Sequence, residues 1–202
     1  MSALAAYKEL TYLDYLGLPS DGKRYELIYG SVFAMAGAGR RHQRIVGALY
    51  AQLFEKLRGR RCEAFVAPFD VRLPRAGQAA NEATTVVQPD LLVYCDPSKH
   101  DERGGIGAPD FVIEVLSPGS GGHDHVRKLR LYEAAGVQEY WIVDGANRVV
   151  LVYLRAKDGK ASDGFAPLES FNFDALAPVQ AIPELSLDFA AVALELDREE
   201  AI

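Results

Sequence analysis

The sequence predicts an α/β domain of the α+β kind, a mixed sheet flanked by helices, and three observations carry that prediction. Residues 86–94 and 109–116 are short runs rich in branched aliphatic and aromatic residues, the composition of buried strands. Residues 41–57 place Ile45, Leu49, Leu53 and Leu57 four apart, the spacing of one helix face. The order strand, strand, helix, strand, strand follows an opening helix and hairpin, which suits helices packed on a sheet. A chain of 202 residues has room for one core. It divides into short helices over 1–22, a core over 23–155, and C-terminal strands with a tail over 156–202.

The elements follow in order. Leu4 to Leu16 has helical spacing, with Thr11 as an N-cap, and Pro19-Ser20-Asp21-Gly22 closes it as a loop. Tyr25 to Met35 is two β-favouring runs split at Tyr29-Gly30-Ser31, a hairpin. The long helix from Arg41 to Leu57 ends at Gly59, and Cys62 to Leu73 is a strand broken near Pro68. A small, polar loop over 77–85 leads into a strand from Val86 to Tyr94, and Pro109 to Leu116 is the next strand. Ser117 to Gly122 breaks it, and a helix from Asp124 to Ala135 stops at Gly136. Glu139 to Asp144 and Arg148 to Arg155 then flank Gly145-Ala146-Asn147 as a hairpin.

Composition bounds the function. Nearly half the residues are apolar and a quarter charged, the balance of a globular protein, and no apolar run approaches a membrane span. Without a signal-peptide pattern the expected location is cytoplasmic. Cys62 and Cys95 lie in strand-like segments without a CxxC or zinc spacing, so two reduced core thiols are expected. A net charge of −6 argues against a broadly basic nucleic-acid-coating surface. Basic residues still cluster at Arg40, Arg41 and Arg44, at Lys56 to Arg61, and at Arg127, Lys128 and Arg130.

Asp90 and Glu114 carry the chemistry, because ionised carboxylates inside such apolar runs are costly unless paired, hydrogen-bonded or coordinating a cation. Delivered from neighbouring strands, they can converge on an oxygen-rich site suited to Mg²⁺ or Mn²⁺. Lys128 shares a helix face with Asp124, Leu131 and Ala135, a face that should turn toward the sheet. Its ammonium can then reach the Glu114 strand, although a four-residue Asp124–Lys128 ion pair is the plainer alternative. Glu26 is a further acid in an apolar setting, and His42 opens the long helix beside Arg40 and Arg41. His123, Asp124 and His125 are not favoured as a metal cluster, since adjacent helix-start residues point apart and Asp124 suits a capping role.

Several of these segments, Arg24 to Ile28 with Gly30, His42, Gln88 to Leu91, Phe111 to Pro118, Asp124 with Lys128 and Tyr132, Gly136 to Asp144, and Ile182 to Leu185, occur in a familiar order. Over roughly Thr11 to Val192 the chain resembles the Uma-two family of restriction-endonuclease-like proteins, within the PD-(D/E)XK nuclease superfamily. Pro89-Asp90 is similar to the first half of that motif and Glu114 to its second acid. Leu116 stands where the plain motif has lysine, and Lys128 looks like a migrated replacement. The loop Ser120 to His123 departs from the more polar, basic loop the family would place there.

The resemblance implies a restriction-endonuclease-like core and metal-dependent phosphodiester hydrolysis. Asp90, Glu114 and Lys128 are then the catalytic set, with Asp90 and Glu114 as ligands to Mg²⁺ or Mn²⁺ and Glu26, His42 and Asp124 in support. DNA is the expected partner, with a homodimer as a second association. Two rival readings stand beside this one: a non-catalytic nucleic-acid or protein binding module on the same fold, and a hydrolase of another phosphoester.

Overall fold

The computed structural model describes residues 8–117, 122–155, 164–166 and 169–200, without side-chain detail at 122–124, 199 and 200. Helix α1 (Tyr12–Tyr15) is one turn, begun where the Asp14 carboxylate accepts the Thr11 backbone N–H at 2.9 Å. Strands β1 (Tyr25–Ile28) and β2 (Ser31–Ala34) form the expected hairpin. Its turn needs φ of 49° at Tyr29 and 75° at Gly30, and a Cβ on Gly30 would lie 2.6 Å from the Glu9 Cβ. Helix α2 (Arg40–Leu57) buries the predicted stripe of Ile45, Leu49, Leu53 and Leu57, together with His42 and Val46. Each buried Leu or Ile of that stripe stabilises the fold by roughly 1.5–3 kcal/mol.

Further along the chain come β3 (Glu63–Val66), β4 (Val71–Arg72), β5 (Val86–Val87), β6 (Leu91–Tyr94), β7 (His100–Asp101), β8 (Gly104–Ile106) and β9 (Phe111–Val115). Helix α3 (Gly122–Ala135) follows, then β10 (Glu139–Asp144), β11 (Val149–Leu154), β12 (Glu169–Asn172), β13 (Leu176–Pro178), β14 (Ser186–Asp188) and α4 (Phe189–Glu200). The expected mixed sheet is two mixed sheets among the described residues. One runs β12-β11-β10-β9-β6-β3 and the other β2-β1-β5-β4-β8-β7. In the first, β9 and β10 are parallel, and α3 makes the crossover that parallel neighbours require.

Both faces of this first sheet are covered, so its strands are apolar throughout rather than alternating. Leu91, Val93, Phe111, Ile113, Val115, Trp141 and Val143 share a core with α2 and α4. The intervening residues Leu92, Val112, Tyr140 and Ile142 pack with Leu131 and Tyr132 of α3. Side chains on a strand change face at every residue, so Glu114, between Ile113 and Val115, faces the α3 side.

Three expectations need correction. Val86 to Tyr94 is two strands in different sheets, and Asp90 lies in the link between them, because β5 pairs with β1 and β4 while β6 pairs with β3 and β9. Cys62 and Cys95 are not reduced thiols but a disulfide. The antiparallel β3–β6 register sets Glu63 against Tyr94, which brings Cys62 opposite Cys95, and that pairing of strands is invisible to local spacing. The C-terminal tail contains α4, whose Phe189, Val192 and Leu196 are buried against the α2 face. The break expected near Pro68 in the Cys62–Leu73 segment is observed, with β3 and β4 on either side of the cis Ala67–Pro68 bond.

The second sheet is anchored by Arg72, whose side chain is only 2 % exposed. It donates to the Gly105 carbonyl at 3.1 Å, the Gly104 carbonyl at 3.0 Å and the Asp101 carboxylate at 2.5 Å, and stacks over Tyr12. A buried guanidinium is tolerated only with such a full set of partners.

Candidate active site

Asp90, Glu114, Lys128, Glu26 and His42 converge on one cleft of about 210 Å³. Asp90 stands just before β6, Glu114 is the fourth residue of β9, Lys128 comes from the middle of α3, and Glu26 from β1 of the other sheet. His42 comes from the first turn of α2. All five are buried, with Asp90 and Glu114 each 7 % exposed. Asp124 belongs to α3, but its side chain lies outside the described residues, and so do residues 118–121.

The carboxylates are oriented one oxygen at a time. Asp90 Oδ2 accepts the Val115 backbone N–H at 2.8 Å and lies 3.0 Å from His42 Nε2. Glu114 Oε1 accepts the Tyr132 hydroxyl at 2.7 Å and the Lys128 ammonium at 2.9 Å. Glu26 Oε1 accepts the Gln88 backbone N–H at 3.0 Å and lies 3.1 Å from Lys128 Nζ. Among the described residues no hydrogen bond engages Asp90 Oδ1 or Glu114 Oε2.

Lys128 therefore sits between two acids as a buried bridge, and the alternative pair with Asp124 involves a side chain outside the described residues. Glu26 and Glu114 share the Lys128 ammonium while Asp90 lies nearby in the same cleft, so the acids outnumber the lysine that bridges them. Burial is the chief reason that the Glu114 carboxyl is pushed up to about 7. The Lys128 charge opposes that rise, and Asp90 and Glu26 add to it. Tyr132, deeply buried against Glu114, is held well above the usual phenol range, first by burial and then by that carboxylate. It is a neutral hydrogen-bond donor at any working pH.

A divalent cation fits this donor set. The chemistry is all oxygen, the protein's own hydrogen bonds occupy one oxygen of each candidate acid, and the excess charge is what such a cation neutralises. Asp90 and Glu114 could supply two ligands, and Mg²⁺ usually keeps several waters and takes substrate oxygens for the rest. Among the described residues no group of three or more His, Cys, Asp or Glu is arranged to hold a metal ion by itself.

The raised Glu114 carboxyl has a defined consequence for stability. Its folded value lies above the unfolded one, so the folded protein holds the proton more tightly and stability falls as pH rises from about 4.5 to about 7, then levels. In chelator, the stability advantage of Glu114→Gln over wild type is expected to grow by about 3 kcal/mol between pH 4.5 and 8, read by urea unfolding. A constant difference across that range would contradict the assignment.

The rest of the cleft was not read from sequence. One wall is the end of the hairpin and its following segment, Phe33 to Ala36 with Ala38, and the other includes His125 and Arg127 of α3. Arg127 lies 4.1 Å over the Phe33 ring, and Arg24 stands at the same cleft. His125, discounted as part of a metal triplet, is a lining residue, whereas the side chains of His123 and Asp124 are not described. Tyr132 had a usable signal, since it follows Lys128 by four residues on the same helix face. The contributions of Gln88 N–H, Val115 N–H and Phe33 depend on register and hairpin placement and had none.

Comparison with known proteins agrees with the fold. The sequence profile of the Uma2 family, described as "Putative restriction endonuclease", matches residues 12–190. An uncharacterized protein of Synechocystis sp. is 29% identical over 138 residues, covering 68% of this chain and 69% of the relative. A crystal structure from Anabaena variabilis, of a "putative nuclease belonging to DUF820", superposes with a TM-score of 0.71. The match covers 93% of this chain and 99% of the other at 23% identity, a likeness of fold.

Proposed function

We propose, from the premise that this chain belongs to the Uma2 restriction-endonuclease-like family, that it is a metal-dependent endonuclease hydrolysing phosphodiester bonds of DNA. The single observation that carries this reading is the convergence of Asp90, Glu114 and Lys128, from three separate elements, on one buried oxygen-rich cleft.

Asp90 and Glu114 would hold Mg²⁺ or Mn²⁺, which when bound supplies Lewis-acid polarisation of the phosphate and a lowered pKa for an attacking water. The protein's own groups do the rest. Val115 N–H and His42 fix Asp90, while Tyr132 fixes Glu114, so each acid presents its other oxygen without reorganisation. Lys128, held by Glu26 and Glu114, offers a localised positive charge to the phosphate oxygens as negative charge builds there, and positions the water. Hydrolysis forms one water oxygen to phosphorus bond and breaks one ester bond, with the water's proton passing to the leaving oxygen through solvent. Lys128 is a fixed cation in this scheme rather than a ligand.

Supercoiled plasmid tests the reading. Nicking is expected in Mn²⁺ or Mg²⁺, complete loss with excess chelator, and recovery when the cation is restored. Nicking that survives chelation, or failure of a preparation shown to bind the cation to cut either the plasmid or a single-stranded circular DNA, would turn the case toward a binding module or another phosphoester.

A further inference from the structure

Resting on that hydrolytic reading, we propose that the cleft takes an unpaired nucleic-acid strand rather than continuous duplex, with the Phe33–Arg127 stack as the platform for an unpaired nucleotide.

The first observation is the depth of the acids. Asp90 and Glu114 are each 7 % exposed, at the floor of a cleft of about 210 Å³. The phosphate must bring an oxygen to within roughly 2 Å of a cation held by those acids. A duplex is a stiff cylinder that presents its phosphates at a fixed height on its outer surface. An unpaired strand can bend a single phosphate inward.

The walls supply the second observation. Phe33 is on β2 and Arg127 on α3, so the two walls meet in a stack whose guanidinium carbon is 4.1 Å from the Phe33 ring centroid. Lys128, the next residue on α3, reaches the acids, so the stack is one residue removed from the reacting centre. A planar guanidinium on an aromatic ring combines a surface for base stacking with a charge for phosphate, the two features by which proteins hold unpaired strands regardless of sequence. Arg24 lines the same cleft and adds a second cation there.

Net charge is the third. A chain at −6 is ill suited to neutralise a long run of duplex phosphates. A short contact between one nucleotide or two and a pair of arginines needs no basic surface beyond the cleft.

The test is fluorescence anisotropy with one labelled oligonucleotide, free or annealed to its complement. Ca²⁺ replaces Mg²⁺ to slow cleavage, and wild-type Mn²⁺ binding is measured separately by calorimetry. Single strand is expected to bind at least tenfold tighter than duplex. Arg127→Lys, which keeps the charge and loses the plane, and Phe33→Leu, which keeps an apolar side chain and loses the ring, are each expected to weaken single-strand binding about fivefold or more. Mn²⁺ affinity should be unchanged in both. Equal or tighter duplex binding accompanied by metal-dependent nicking overturns the substrate class and leaves the nuclease reading intact. Unchanged single-strand affinity in both variants also overturns it, and failure to bind either form overturns it together with the nucleic-acid reading.

Discussion

Glu114→Gln is expected to reduce metal-dependent nicking at least about a thousandfold, which corresponds to removing roughly 4 kcal/mol of transition-state stabilisation. The substitution keeps the shape and volume of the side chain, so Tyr132 still has an oxygen to donate to at 2.7 Å. What it removes is the charge. Burial penalises the ionised form of Glu114, and a cation is the partner that makes ionisation favourable. The amide cannot take that role, so the variant should fold at least as well as wild type while losing activity. Assay of nicking on folded Glu114→Gln checks this, and a loss of less than about tenfold would remove Glu114 from the catalytic set.

Lys128→Met gives the second large effect, and it falls on stability as well as turnover. The ammonium bridges Glu26 and Glu114 at 3.1 and 2.9 Å in a site where the lysine is 4 % exposed. Removing one partner of a buried ion pair leaves uncompensated charge, at a cost of about 3–5 kcal/mol. In chelator, Lys128→Met is expected to lose that much stability, read from its urea midpoint. Mn²⁺ should return a large part of it, because the cation replaces the missing positive charge. Nicking should fall by at least about a hundredfold, as for loss of one preorganised electrostatic contact to the transition state. Metal affinity should be retained or tightened, since an ammonium is not a ligand and its removal leaves the acids in greater need of a cation. A large loss of Mn²⁺ affinity in this variant would contradict the role given to Lys128.

Which features were legible follows from how local their signals are. Asp90 and Glu114 stood out because acids inside apolar runs conflict with burial, and such conflicts concentrate at functional sites. Lys128 was legible through helix periodicity, which placed it beside Leu131 on the face turned to the sheet. Glu26 and His42 were named, but their partners were not, since β1 lies in a different sheet from β9 and α2 reaches Asp90 only through the tertiary packing. The Val86–Tyr94 segment misled as one strand because an apolar run carries no mark where it leaves one sheet for another. The disulfide depends on the β3–β6 register alone. Helix α4 did carry a signal, Phe189, Val192 and Leu196 at helical spacing, within a segment whose preceding residues favour short strands. The Phe33–Arg127 stack joins a hairpin to a helix 94 positions further on, and nothing local to either residue announces it.

The most direct measurement is calorimetric titration of Mn²⁺ into wild type, Asp90→Asn and Glu114→Gln at pH 8, above the value near 7 at which Glu114 takes up its proton. One cation-binding event in wild type, lost in both variants while their urea unfolding remains cooperative, is the predicted result. Wild type that takes up no Mn²⁺, or variants that bind it as tightly as wild type, would contradict the cation site at Asp90 and Glu114 and with it the proposed hydrolysis.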